Sequence, residues 1–162
     1  MVNGKMVNGK LVYLSLGSNL GNRHALLLRA IDLLARRVGR LLRASSFIET
    51  EPWGFNSPHP FLNAAVCLQT PLAPHQILAE TQAIERLLGR KSKSVVSGFP
   101  ADKSLPSYQD RPIDIDILLY GNLHLSTPEL TIPHPLMHLR DFVLRPLREI
   151  MPPEEWEQVM RR

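Results

Sequence analysis

The stretch "DRPIDIDILLY", residues 110–120, sets two aspartates, Asp114 and Asp116, inside a run of isoleucine and leucine. Read as a strand with a period of two, Ile113, Ile115, Ile117 and Leu119 share one face, and Asp114, Asp116, Leu118 and Tyr120 share the other. The two carboxylates then stand roughly 6–7 Å apart at Cα, because each strand residue advances ~3.3 Å. Side by side in an apolar strand they repel each other and lose hydration, so they need compensation. A polar face open to solvent would supply it, and so would a divalent cation. The neighbouring Arg111 and the apolar continuation favour the cation. Mg2+ takes a few carboxylate oxygens, keeps several waters and completes its shell with phosphate.

The rest of the chain sets the context. Its 162 residues, 44% hydrophobic and 21% charged, fit a single domain over 11–162 that buries a real core. No apolar run reaches the ~20 residues of a membrane span, and the start lacks a signal-peptide core. The single cysteine, Cys67 in "FLNAAVCL" (61–68), allows no intrachain disulfide and fits a buried thiol in a reducing compartment. A cytoplasmic protein is expected. The net charge of +4 suits an anionic partner, nucleic acid or polyphosphate, if the basic residues converge on one site. The first ten residues, "MVNGKMVNGK", repeat five residues perfectly. That repeat reads as a cloning artefact or a duplicated start with Met6 as second initiator, and 1–10 as a loose tail.

Outward from the aspartates, "LVYLSLGS" (11–18) reads as a strand. The "GSNLGNR" after it matches neither G-x-x-x-x-G-K-[ST] nor G-x-G-x-x-G. From Asn22 to Val38 the apolar residues follow a helical period, with Gly39 as C-terminal cap. "LLRASSFIET" (41–50) and "FLNAAVCLQT" (61–70) read as strands joined by the loop "EPWGFNSPHP" (51–60). Pro74 opens a second helix that closes at Gly89. A long Ser-, Lys- and Pro-rich loop (90–111) leads to the aspartate strand, and "GNLHLSTPELTIPHP" (121–135) holds a turn and a short extended piece. "HLRDFVLRPLREI" (138–150) is helical near its start, with Pro146 limiting or bending it, and "PEEWEQVMRR" (153–162) is a short amphipathic helix. The order β-α-β-β-α-β with C-terminal additions is the ferredoxin-like pattern, an α+β fold. One antiparallel sheet carries helices on one face and leaves the other free for a ligand.

Chemistry-bearing residues gather in three places. The long loop brings Arg90, Lys91, Lys93 and Lys103 toward Arg111, beside the carboxylate pair, as a polyphosphate site requires. Trp53, Phe55 and Phe61 lie near Thr50 and Asn63; they are either core or the walls and polar edge of a slot for a flat heterocycle. His134 stands between two prolines, followed by His138 and Arg140, and no His/Cys spacing fits zinc.

Taken together, "LSLGSNLGNR", "SSFIETEPWG…FLNAAV", "TQAIERLLGR" and "DRPIDIDILLYGN…LTIPHPLMHLRDFVLRPL" resemble the 6-hydroxymethyl-7,8-dihydropterin pyrophosphokinase family over about Leu11 to Ile150. The resemblance implies Mg2+-dependent transfer of the β,γ-pyrophosphoryl group of ATP to the pterin hydroxymethyl oxygen, releasing AMP, in folate biosynthesis. It implies that Asp114 and Asp116 hold two Mg2+ ions, with Asp114 also beside the pterin. Gln82, Glu85, Thr131, His134 and Arg140 would surround ATP, with Ile117 against the adenine. Arg90 and Arg111 would grip the phosphates. Thr50, Pro52, Trp53, Phe61, Asn63 and Phe142 would form the pterin slot, the ring stacking on Phe142 and Tyr108. No pterin role is carried to Glu51. Asp116 is the candidate acceptor of the hydroxyl proton. The long loop is expected to be mobile until both substrates bind, and the enzyme to act as a monomer without nucleic acid or membrane.

Two other readings compete. A palm-type nucleotidyl transferase also sets paired aspartates on such a sheet, but it would want a template and give polymeric or cyclic products. An RNA-binding module of the RRM type would expose aromatics where this strand carries carboxylates, which repel a phosphate backbone.

Overall fold

Strand β1 (Lys10–Ser18) runs through the middle of a five-stranded antiparallel sheet, between two paired neighbours, and is buried from Val12 onward. The computed structural model of the chain describes residues 9–89 and 110–161. After β1 come α1 (Arg23–Arg37), β2 (Arg40–Ala44), β3 (Ile48–Thr50), β4 (Phe61–Thr70), α2 (Pro74–Leu87) and β5 (Asp114–Tyr120). The strand order is β2-β4-β1-β5, with β3 also on β4, which is the expected ferredoxin-like topology. A small hairpin, β6 (Leu125–Ser126) with β7 (Thr131–Ile132), follows, then α3 (Asp141–Ile150) and α4 (Pro153–Met160). Of the tail expected over 1–10, residues 1–8 lie outside the described residues, while Lys10 already belongs to β1; the long loop's behaviour, and Arg90, Lys91, Lys93, Lys103 and Tyr108, also lie outside them.

Local chemistry sets the helix ends. Asn22 caps α1, its Oδ1 accepting from the Ala25 N–H, and Arg36 and Arg37 face the negative end of its dipole. Gly39 follows α1 as expected but for a different reason. Its φ is not positive, and a Cβ there would collide with the Gln69 carbonyl oxygen. At α2, Pro74 takes the first turn and Gln76 Oε1 accepts from the Ala73 N–H at 2.7 Å. One sheet face packs Val12, Leu14, Leu16, Ile113, Ile115 and Ile117 against Leu27 and Leu34 of α1 and Ile77 and Ile84 of α2.

Three local features differ from the sequence reading. The strand expected over 41–50 is broken, because the Ser45 hydroxyl accepts from the Ala65 N–H and Glu149 takes the Ser46 N–H and hydroxyl. Helix α3 continues through the buried Pro146 to Ile150, and only one intrahelical bond is forfeited there. Strand β5 does not alternate to its end. Its register against β1 passes from Leu14↔Ile117 to Tyr13↔Leu119, a bulge that leaves Leu118 as the extra residue. Tyr120 therefore joins the isoleucine face, while Leu118 and Leu119 turn to the other.

That bulge divides the second face. At one end Tyr13, Ala65, Cys67, Leu118 and Leu119 pack under Met137, Val143, Leu147 and Ile150, so α3 covers ground that was expected to be open. Tyr13 donates to Glu155 Oε1 at 2.9 Å and accepts from Arg43 Nη2 at 3.0 Å, while Arg43 Nε donates to the Ile150 carbonyl at 2.6 Å. Burial first, then the neighbouring Cys67 and Glu155, push the Tyr13 phenol up, so it stays a donor and pins α4 to the sheet. Burial likewise pushes the Cys67 thiol up and holds it uncharged. The other end of this face holds the site.

Candidate active site

Two rows across the sheet make the floor. Asn63 of β4, Gly17 of β1 and Asp114 of β5 stand in register, and the next row is Ala65, Ser15 and Asp116. All six point to the face that α3 leaves open, because they share parity with Tyr13 and Cys67. The small side chains of Ser15 and Gly17 leave room beside each carboxylate. A Cβ at Gly17 would lie 2.9 Å from Asn63 Oδ1 and 3.4 Å from Phe61 Cδ1, so the floor has no spare space there.

The loop 51–60 and the start of α3 raise the walls of a cleft over this floor. Trp53 and Phe142 face each other with ring centroids 6.4 Å apart, and Phe55 meets Phe61 edge-on at 6.2 Å. Asn63 Nδ2 donates to Thr50 Oγ1 at 2.6 Å, setting a polar edge between these rings. Two guanidinium groups reach in. Arg111 lies 5.7 Å from the Phe61 centroid with Nη1 3.6 Å from Asp114 Oδ1, and Arg140 lies 4.6 Å from the Trp53 centroid and 5.7 Å from that of Phe142. Cations, carboxylates, stacking surfaces and an amide edge thus converge within one cleft. Such a site can take a flat, hydrogen-bonding ring together with an anionic, metal-compensated group.

Ten of the residues singled out from the sequence line this cleft: Thr50, Trp53, Phe55, Phe61, Asn63, Arg111, Asp114, Asp116, Arg140 and Phe142. Trp53 and Phe61 are wall rather than core, with Trp53 36% exposed. Pro52 sits in the same loop but outside the lining. A second group lies along the outer edge of β5. Glu85 Oε2 accepts from the Ile115 N–H at 2.7 Å, Gln82 stands one turn earlier on α2, and the His134 N–H donates to the Leu118 carbonyl at 3.0 Å. Thr131 begins β7, which packs on β5. Ile117 faces the helix-side core and is 4% exposed. Arg140, expected around ATP, lines the cleft beside Asp114 and Asp116.

Ser15, Gly17 and Glu51 also line the cleft. The alternation of small residues in "LSLG" was a signal for the first two, but only the register with β5 shows what they make room for. Among the described residues no three His, Cys, Asp or Glu side chains gather as a metal cage. A cation held by the carboxylate pair would complete its shell with further ligands.

The chain matches the family model for 7,8-dihydro-6-hydroxymethylpterin-pyrophosphokinase over residues 13–152. It is 57% identical to a 2-amino-4-hydroxy-6-hydroxymethyldihydropteridine pyrophosphokinase of Porphyromonas gingivalis, over 88% of this chain and 91% of that protein. It is 39% identical to the Bacillus subtilis protein of the same name, over 86% of this chain and 77% of that one. Among solved structures it superposes on an HPPK-DHPS crystal structure with TM-score 0.70 at 14% identity, covering 90% of this chain and 40% of that one. The Plasmodium falciparum HPPK-DHPS matches with TM-score 0.64 at 16% identity, over 92% of this chain and 42% of that one. The chain spans about two fifths of those longer proteins, and at such identities they bear on the fold alone. With the family model covering most of its length, the chain belongs to the 7,8-dihydro-6-hydroxymethylpterin-pyrophosphokinase family and is an ATP-dependent diphosphokinase.

Proposed function

We propose that the chain, as a cytoplasmic monomer, transfers the β,γ-pyrophosphoryl group of ATP to the hydroxymethyl oxygen of 6-hydroxymethyl-7,8-dihydropterin, releases AMP, and requires Mg2+. One observation carries this reading: the carboxylate pair, two arginines and an aromatic wall with an amide edge meet in a single cleft. The pterin ring enters between Trp53 and Phe142, with Asn63 and Thr50 at its edge. The outer edge of β5, with Gln82, Glu85, Ile117, Thr131 and His134, receives the nucleotide. The hydroxymethyl oxygen bonds to the β-phosphorus while the bond from that phosphorus to the oxygen bridging the α-phosphorus breaks, and AMP leaves with the electron pair. Asp116 takes the hydroxyl proton, and Arg111 and Arg140 meet the growing phosphate charge. Arg90 joins them as a phosphate ligand and Tyr108 as a stacking partner.

Two half-buried carboxylates on one strand face fit Mg2+, which draws its other ligands from phosphate and water. Asp114 and Asp116 would hold it, as two ions with ATP, and bound Mg2+ would neutralise and align the triphosphate. Among the described residues no helix is long and apolar enough to cross a membrane.

The test is AMP formation from ATP and 6-hydroxymethyl-7,8-dihydropterin, with and without Mg2+. AMP that appears only with both pterin and metal supports the reading, whereas ADP, or no turnover, overturns it. A narrower expectation concerns Gly17→Ala. The added methyl displaces Asn63 or Phe61, so KM for the pterin rises about tenfold, an overpacking cost near 1.4 kcal/mol. KM for ATP should stay within about twofold. Equal rises in both constants would place the pterin elsewhere.

A further inference from the structure

We infer that Asn19 is a positioning residue for pyrophosphoryl transfer, acting through Arg111; the inference rests on the reaction proposed above. Asn19 lies just past the end of β1, is 2% exposed, and is not among the residues that line the cleft. Every hydrogen-bonding group of its amide and its own N–H is in use. Its N–H donates to the Arg111 carbonyl at 3.1 Å, and its Oδ1 accepts from the Arg111 N–H at 2.7 Å. Its Nδ2 donates to Asp110 Oδ1 at 2.7 Å and to the His59 carbonyl at 3.0 Å. The partners fix which end of the amide is which, because the Arg111 N–H can only donate and the His59 carbonyl can only accept.

The position gives these bonds their consequence. β1 and β5 pair down to Gly17↔Asp114, and beyond that point Asn19 continues the link with its backbone N–H and its side-chain oxygen. Arg111 is thus clamped on both backbone groups three residues before Asp114, and its guanidinium is aimed between Phe61 and the Asp114 carboxylate. The bond to His59 ties the same point to loop 51–60, which carries Trp53 and Phe55. One side chain therefore sets the distance between the carboxylate strand, the arginine and the aromatic wall. A misplacement of about 1 Å at a reacting centre costs about 10²-fold in rate.

Aspartate is the discriminating substitution. Asn19→Asp keeps shape and the acceptor for Arg111, but turns the donor into an acceptor facing Asp110 and His59. Purified full-length variants would be compared for AMP formation, kcat and KM separately, together with thermal melting. Asn19→Asp should lower kcat about 10²-fold and change KM for ATP less than about threefold. In an Arg111→Ala background the same substitution should cost less than about threefold, since the group it positions is gone. The reciprocal pair Asn19→Asp with Asp110→Asn restores one donor–acceptor contact and should recover about tenfold of kcat. Costs that simply add on the Arg111→Ala background, or a kcat loss that only follows a drop in melting temperature, overturn the inference. If Asn19→Asp does not fold, the reciprocal pair decides: folding with kcat lowered about tenfold or more supports positioning, and folding with kcat nearer to wild type than that overturns it. A wild-type chain that forms no AMP overturns the reaction reading itself, which is a separate result from an active chain whose variants add.

Discussion

Asp116→Asn is expected to lower AMP formation at saturating Mg2+ by about 10³-fold while the fold is kept or slightly strengthened. Two effects combine in the loss. The amide cannot take the hydroxyl proton, a role worth about 10²–10⁴-fold, and it removes half the charge that holds the metal. The stability change has the opposite sign. Asp114 and Asp116 share one face of β5, two residues apart and half buried, so without metal their charges oppose each other. Asparagine relieves that repulsion with no change of shape, and Asp114 keeps Arg111 at 3.6 Å. Thermal unfolding in EDTA should show a melting temperature equal to or above wild type. In Mg2+ with nucleotide the order should reverse, because ligand stabilisation depends on affinity for the folded state. An Asp116→Asn chain with near-normal turnover removes the proton role. One that melts well below wild type in EDTA makes the aspartate a structural residue.

The pattern of what could be read from the chain follows from the range of the interactions. Period-two alternation in "IDIDI" put both carboxylates on one face, and the extents of α1 and α2 were legible, because these depend on neighbours within a few residues. The topology followed from element order, since connection rules leave few choices. The bulge at Leu118 was not legible. It is decided by the row Cys67–Tyr13–Leu119, where packing under α3 outweighs strict alternation, and those residues are far apart in the chain. The break at Ser45 has the same origin, in bonds to Ala65 and Glu149. Pro146 reads as a helix limit by itself, yet burial against the sheet keeps α3 going.

The site divides similarly. Residues whose chemistry is unusual for their surroundings, such as the aspartates, Arg111 and Asn63 beside Phe61, could be named in advance. Those that serve by being small or by tying backbone together could not. Ser15 and Gly17 matter because of what stands opposite them, and Asn19 because Asp110, Arg111 and His59 come to it from distant parts of the chain.

Arg111→Ala is the second large effect, and two signs distinguish its causes. The guanidinium is nearly buried between the Phe61 ring and Asp114, so it is desolvated and held in place before any substrate arrives. A positive group so placed does not reorganise as phosphate charge develops, and its removal should lower kcat about 10³-fold. Arg111→Lys should retain about tenfold more activity than Arg111→Ala, because the charge remains while the planar stack on Phe61 and the forked donors are lost. The Mg2+ requirement should move the other way. Arg111 sits 3.6 Å from Asp114 Oδ1 and opposes a second cation on that carboxylate, so Arg111→Ala should reach half-maximal rate at a lower Mg2+ concentration. A titration of residual activity against Mg2+ measures this directly. If the requirement instead rises in step with the loss of kcat, Arg111 serves mainly to hold Asp114 in position for the metal, and the phosphate contact belongs to another cation of the cleft.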